Sequence, residues 1–192
     1  NETTTGVTYF EINQKLDEGK IVLNKAYTIK ESDNCTAVQD NLTEIAVECC
    51  SEAIDKICAK EYIQSTLIEK PTYAKKIKKE DAFLNWDMNV RAMFNMIRAL
   101  HLWPVARINL FGDNIKILDA NCIEKKHEYS TGTVVSFNKN ELVIAAKEGF
   151  LSILKLQLEG KKTITSRDLY NSNHPIKETL INNCANISYK SL

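Results

Sequence analysis

The apolar positions of this 192-residue chain fall into three regimes. In the first, Gly6-Val7-Thr8-Tyr9-Phe10-Glu11-Ile12 is rich in β-branched and aromatic residues, and Ile21 to Ile29 is a near-continuous apolar run. Both patterns predict strands, with a turn at Leu16-Asp17-Glu18-Gly19 between them. In the second, Val38, Leu42, Ile45, Cys49, Ala53 and Ile57 recur every three or four residues. That spacing is one apolar stripe on a helix of about six turns, ending near Lys60. Thr36-Ala37-Val38-Gln39 fits a capping box at its start, where hydroxyl and amide satisfy orphan helix-start groups reciprocally.

The third regime follows a segment of linker character, residues 70–82, in which Pro71 blocks regular structure and five lysines fall within ten positions. Val90, Met93, Phe94, Ile97 and Leu100 then form a second helical stripe, with Asp87 as the expected N-cap and Trp103-Pro104 as the stop. From Val105 the period becomes two. Val105–Phe111, Ile115–Ile123, Thr133–Phe137, Leu142–Ala146 and Phe150–Leu158 are strand candidates. Gly112-Asp113-Asn114, Asn138-Lys139-Asn140 and Glu148-Gly149 serve as their turns. A last short helix starts at Thr165 or Ser166, and the tail after Pro175 is expected to fray.

Several short, closely spaced strands after one helix suggest a small closed barrel of the OB type. The two strands and helix that open the chain make too small a core for a free-standing domain and look like the end of a larger α/β sheet. The expected class is therefore α+β. Residues 1–61 form the remnant of a sheet domain, 62–82 a basic linker, 83–175 a helix with an OB-like barrel, and 176–192 a tail. Trp86 and Trp103 flank the second stripe, and burial against the barrel is expected for both.

Charge sharpens this division. The net charge is zero overall, yet residues 1–69 carry 6 basic and 13 acidic side chains, a net −7, while residues 70–192 carry 19 and 12, a net +7. Such asymmetry suggests a basic part that meets a polyanion, tethered to an acidic part with another task. The 44% hydrophobic and 26% charged composition is that of a globular protein with material for a core. No apolar run is long enough to cross a bilayer, and Asn1-Glu2-Thr3-Thr4-Thr5 is not a signal peptide. Cys35, Cys49, Cys50, Cys58, Cys122 and Cys184 contain no C-x-x-C pair and no histidine at ligand spacing, so reduced cysteines and no metal are expected. Asn34-Cys35-Thr36, Asn41-Leu42-Thr43 and Asn186-Ile187-Ser188 match glycosylation sequons, short patterns that arise by chance in an Asn-rich chain.

The order of several motifs is more specific. Gly6-Val7-Thr8 followed by Leu16-Asp17-Glu18-Gly19 resembles the "TGVT…LDxG" segment that closes the active site of folate-dependent formyltransferases. Tyr73-Ala74-Lys75-Lys76-Ile77-Lys78-Lys79-Glu80-Asp81, Asn85-Trp86, Ile97-Arg98-Ala99, Trp103-Pro104 and Leu156-Gln157-Leu158-Glu159-Gly160-Lys161-Lys162 follow in order. The linker and the GKK ending resemble the methionyl-tRNA formyltransferase family. Sugar formyltransferases share the LDxG turn and a version of the helix, but not that ending. The resemblance runs from about residue 6 to residue 172.

This resemblance implies a transferase that moves a formyl group from 10-formyltetrahydrofolate to the amino group of methionine on initiator tRNA, in translation initiation. It implies a Rossmann-like catalytic domain ahead of the OB-like barrel, a monomer, and a cytosolic location. Catalysis in the family uses an asparagine, a histidine and an aspartate. The aspartate matches Asp17, and Leu16, Asp17 and Gly19 match the turn beside the folate. The asparagine and histidine precede that turn in the family, whereas only sixteen residues precede Asp17 here. The 192-residue chain is accordingly expected to be catalytically incomplete by itself, and His101, His127 and His174 read as ordinary half-buried or surface residues.

On the RNA side, Lys76 and Lys79 match family linker lysines, Lys75 and Lys78 enlarge the cluster, and Lys161 and Lys162 follow Gly160 in a loop. Lysine suits phosphate contacts, where affinity comes from counterion release and needs no base-specific geometry. The bland reading of such clusters is solvation of a surface. Two other functions stay open: a non-catalytic RNA-binding barrel, and a sugar-nucleotide formyltransferase.

Overall fold

A computed structural model describes residues 2–14, 19–63 and 73–185. They form two compact units, Asn1–Lys76 and Ile77–Leu192.

In the first unit β1 (Thr4–Phe10) and β2 (Ile21–Thr28) pair antiparallel, Thr4 opposite Thr28 and Tyr9 opposite Leu23. Two glycines permit the close approach: a Cβ on Gly6 would lie 2.5 Å from the Lys25 carbonyl oxygen, and one on Gly19 only 1.5 Å from that of Glu11. Helix α1 (Cys35–Ala59) crosses behind, with Val22, Leu23 and Ala53 as its buried core and Tyr9, Cys49 and Tyr62 packed around them. The cap is not the expected Thr36 box. Asn34 accepts from the Ala37 N–H at 3.0 Å, because an extended residue two positions earlier already places an amide oxygen over the third helical N–H. Thr36 lies inside the first turn instead, its buried hydroxyl without a hydrogen-bond partner. Along the apolar stripe only Ala53 is fully buried, and Ile57 is exposed.

The second unit opens with a 3-10 turn, Lys79–Ala82, after which Phe83 bridges Arg107 in parallel. Helix α2 (Val90–Ala99) buries Val90, Met93, Phe94 and Ile97, as the stripe predicts. Its cap is Asn89, whose side chain accepts from the Arg91 N–H at 2.8 Å. Asp87, the expected cap, instead accepts from the Thr131 hydroxyl at 2.8 Å. The six strands are β3 (Arg107–Leu110), β4 (Asp113–Ile123), β5 (Val134–Phe137), β6 (Leu142–Ala146), β7 (Gly149–Gln157) and β8 (Thr163–Thr165). They build a curled antiparallel sheet in the order β3-β4-β7-β6-β5, with β8 also on β7. The main core joins Val90, Met93 and Ile97 of α2 to Ile108, Ile117, Leu151 and Leu156. On the other face Val135, Val143, Ala145 and Phe150 form a smaller cluster with Ile123 and Tyr129 packed on it. All five residues of β6 are therefore buried, which accounts for its unbroken apolar sequence.

The structure shifts several expected boundaries. The β3–β4 turn is Phe111-Gly112, with φ of 53° and 92°, a two-residue hairpin of the primed kind between Leu110 and Asp113. Gly149 begins β7 rather than ending the preceding turn, since a Cβ there would sit 2.3 Å from the Ile123 carbonyl oxygen. β8 adds a short strand to those the pattern predicts, paired with β7. Helix α3 (Ser166–Asn171) starts where expected, with Thr165 and Asp168 forming a capping box. The segment after Pro175 does not fray through Asn182: it is helix α4 (Pro175–Asn182), with Ile176 and Leu180 buried in the main core. Trp86 is half-buried as expected, but Trp103, at a cis peptide with Pro104, is 54% exposed.

Candidate nucleic-acid interface

Lys75 and Lys76 lie in an irregular stretch whose residues 73–78 are all exposed, and Tyr73 is 87% exposed. Lys78 ends that stretch and Lys79 starts the 3-10 turn, which is fixed when the Lys78 N–H donates to Asp81 Oδ2 at 2.7 Å. Glu80 and Asp81 thus sit beside the lysines, with Asp81 occupied by backbone. Lys161 and Lys162 lie exposed in the loop between β7 and β8. Gly160 takes φ 67°, the Lys161 N–H donates to the Leu158 carbonyl at 3.0 Å, and Gln157 Nε2 donates to the Lys161 carbonyl at 2.8 Å. The loop is held by its backbone while both ammonium groups face solvent. Among the described residues none of these six lysines forms an ion pair.

Leu16 and Asp17 lie outside the described residues. Gly19 is described, and its backbone packs so closely on Glu11 that only glycine fits there. On the same Glu11, Oε1 accepts from the Tyr62 hydroxyl at 2.5 Å, and hydrogen bonding to that carboxylate, with burial, pushes the phenol up from its ordinary value.

The three histidines serve the fold. His101 Nδ1 lies 3.2 Å from the Leu118 carbonyl. His127 Nε2 lies 2.8 Å from the carbonyl of Ala146 and 2.9 Å from that of Gly149, while its Nδ1 accepts from the Tyr129 N–H. His174 caps α4. Arg98 donates to Asn95 Oδ1 at 2.6 Å and lies over the Phe94 ring, 5.0 Å from its centroid. All six cysteines are free, and no cluster of three metal-ligating side chains occurs among the described residues. No helix among them is long and apolar enough to cross a membrane.

A further cationic pair is marked by no run along the sequence. Arg107 of β3 stands opposite Lys116 of β4, both half-buried. Each alternates with core residues, so its place on one face is readable, but the pairing depends on a register that only the folded sheet fixes.

A helix packed on a curled antiparallel sheet, preceded by an exposed lysine segment, defines an α+β module. Residues 76–174 match the formyl transferase C-terminal domain, and the chain belongs to that family. It is 34% identical over 87% of its length to the methionyl-tRNA formyltransferase of Thermodesulfovibrio yellowstonii, covering 53% of that protein. To the methionyl-tRNA formyltransferase of Staphylococcus aureus it is 32% identical over 84% of its length, covering 52%. The chain thus spans about half the length of the curated relatives it matches. Among solved structures, HypX from Aquifex aeolicus in complex with tetrahydrofolic acid superposes with a TM-score of 0.63 at 17% identity, over 88% of this chain and 30% of that one.

Proposed function

We propose that this chain is the C-terminal part of a methionyl-tRNA formyltransferase, which moves a formyl group from 10-formyltetrahydrofolate to the amino group of methionine on initiator tRNA in the cytosol. The observation that carries this reading is the continuous similarity to proteins of that name, at 34% identity over 87% of the chain. In this account β1, β2 and α1 complete a Rossmann-like catalytic domain, and the curled sheet is the OB-like barrel that follows it.

The chemistry assigns Asp17 its role. Acyl transfer to an amine passes through a tetrahedral oxyanion, so the site needs a proton acceptor and a stabiliser of negative charge. A carboxylate there orients the imidazole of the family's histidine and stabilises its protonated form. Leu16 and Gly19 shape the turn against the folate. Lys75, Lys76, Lys78, Lys79, Lys161 and Lys162 hold the tRNA backbone, which their free ammonium groups and the +7 charge of residues 70–192 support.

The test is formyl transfer by a fusion of the N-terminal half of the Thermodesulfovibrio yellowstonii relative to this chain. The fusion is expected to formylate initiator methionyl-tRNA, and Asp17→Asn to lower kcat strongly with tRNA affinity nearly unchanged. A folded, tRNA-binding fusion without activity, or normal turnover in Asp17→Asn, contradicts the assignment.

A further inference from the structure

Arg107 and Lys116 occupy a position where like charges are costly. The Ile117 N–H donates to the Ala106 carbonyl at 2.8 Å, so that pair carries the ladder bonds and the adjacent Arg107–Lys116 pair is a non-hydrogen-bonded one. Side chains stand closest at such sites, and like charges directly opposite destabilise a sheet. Nothing neutralises them: among the described residues neither side chain makes an ion pair, and the Arg107 Nε is buried without a hydrogen bond.

The register extends this pair into a row. Phe83 bridges Arg107 on one side; on the other, Lys116 faces Gln157 and Gln157 faces Thr163. Residues in register share a face, and their neighbours Ile108, Ile115, Ile117 and Leu156 fill the core, so the row lies on the outer face of the sheet. At about 4.8 Å per strand, Arg107 to Thr163 spans roughly 14 Å. No carboxylate lies in it. Asp119 faces Lys155 farther along β4, and next to Arg107 and Lys116 the same face carries the amides of Asn109 and Asn114. Within the row Gln157 ties down the loop bearing Lys161 and Lys162.

We propose that this row, Arg107 and Lys116 with the Lys161–Lys162 loop, is a phosphate track for a stretch of RNA backbone, running across the strands rather than along the linker. The proposal rests on the tRNA reading above and deepens it. A linear row of donors matches a polyanion, whereas a small free anion needs groups converging on one point. Arginine adds a planar fork for phosphate oxygens, and bound phosphate relieves the repulsion that the apo sheet bears.

The experiment measures initiator-tRNA affinity across a salt series for the 192-residue chain, for Lys116→Glu, for Arg107→Gln/Lys116→Gln, and for the linker variant with Lys75, Lys76, Lys78 and Lys79 all changed to alanine. Lys116→Glu replaces a like-charge pair by an opposite one. It is expected to raise the midpoint of thermal unfolding while weakening tRNA binding roughly tenfold and flattening the salt slope by about 1 to 2. The double variant is expected to flatten the slope similarly. A gain in stability with loss of binding excludes misfolding as the cause. Unchanged affinity and slope in both row variants, with weakened binding in the linker variant, overturns the track and leaves the RNA reading standing. No tRNA binding by the unsubstituted chain at low salt overturns both.

Discussion

Val90 and Gly149 join α2 to the first residue of β7 so closely that a Cβ on the glycine would stand 2.6 Å from Val90 Cγ1. The same atom would lie 2.3 Å from the Ile123 carbonyl oxygen of β4. The Val90 N–H donates to the Lys147 carbonyl at 2.9 Å, so helix start and hairpin are fixed together. Gly149→Ala is therefore expected to destabilise the second unit by about 1 to 3 kcal/mol, the usual range for overpacking. Both tryptophans, Trp86 and Trp103, belong to this unit, so tryptophan fluorescence during denaturation reports it directly. A Gly149→Ala transition coinciding with that of the unsubstituted chain would show that the sheet yields at this point.

His127 ties the segment before β5 to the β6–β7 hairpin, with an Nε2–H facing two carbonyls and Nδ1 taking the Tyr129 N–H at 3.1 Å. His127→Leu keeps an apolar body beside Phe150 but leaves these groups unpaired, a loss of about 1 to 3 kcal/mol. Amide exchange at Tyr129 is expected to quicken, while formyl transfer by the fusion protein stays within a small factor. A selective collapse of turnover with normal stability would make His127 part of the chemistry instead.

The pH dependence of α3 follows from its capping box. The Thr165 hydroxyl and backbone N–H both donate to Asp168, at 2.7 and 3.0 Å, and hold its carboxyl below the usual carboxylate value. A depressed folded-state pKa gives stability that is full above the unfolded value, near 3.9, and is lost as pH falls through the folded one. Asp168→Asn is expected to lower the unfolding midpoint at neutral pH, with the difference shrinking below about pH 4. A difference that persists unchanged to low pH would separate the residue's effect from its charge.

The two units are expected to differ in local stability. Among the described residues the first buries Val22, Leu23 and Ala53 as its cluster, whereas the second packs a contiguous core from α2, the sheet, α3 and α4. Sparse burial implies low-energy opening. Hydrogen exchange of the 192-residue chain should be faster in β1, β2 and α1 than in β4, β6 and β7. Equal protection of the two sets would contradict this.

Much of the fold was legible in local pattern. The α2 stripe was readable because Val90, Met93, Phe94, Ile97 and Leu100 repeat with the helical period and are all buried, Val90, Met93 and Ile97 of them in the main core. The caps were less so: Asn34 and Asn89 compete with Thr36 and Asp87, and backbone direction, which sequence does not show, chooses between them. β8 is three residues long and gains its identity from pairing with β7. Helix α4 looked like a polar end after a proline, since its two core anchors, Ile176 and Leu180, are too few to form a convincing stripe. The lysine clusters were visible as runs. The Arg107–Lys116 row was not, because its members are separated along the chain and brought together by register alone.

The most direct measurement of the central claim is the affinity of the 192-residue chain for initiator tRNA as a function of salt. If roughly three to five of its lysines and arginines contact phosphates, log K is expected to fall with log salt at a slope of about −2 to −4. Replacing Lys75, Lys76, Lys78 and Lys79 with alanine is expected to weaken binding to initiator and other tRNAs alike and to flatten that slope. Unmeasurable binding at low salt, or a slope that the four substitutions leave unchanged, would contradict the assignment of this chain's basic surface to the tRNA backbone.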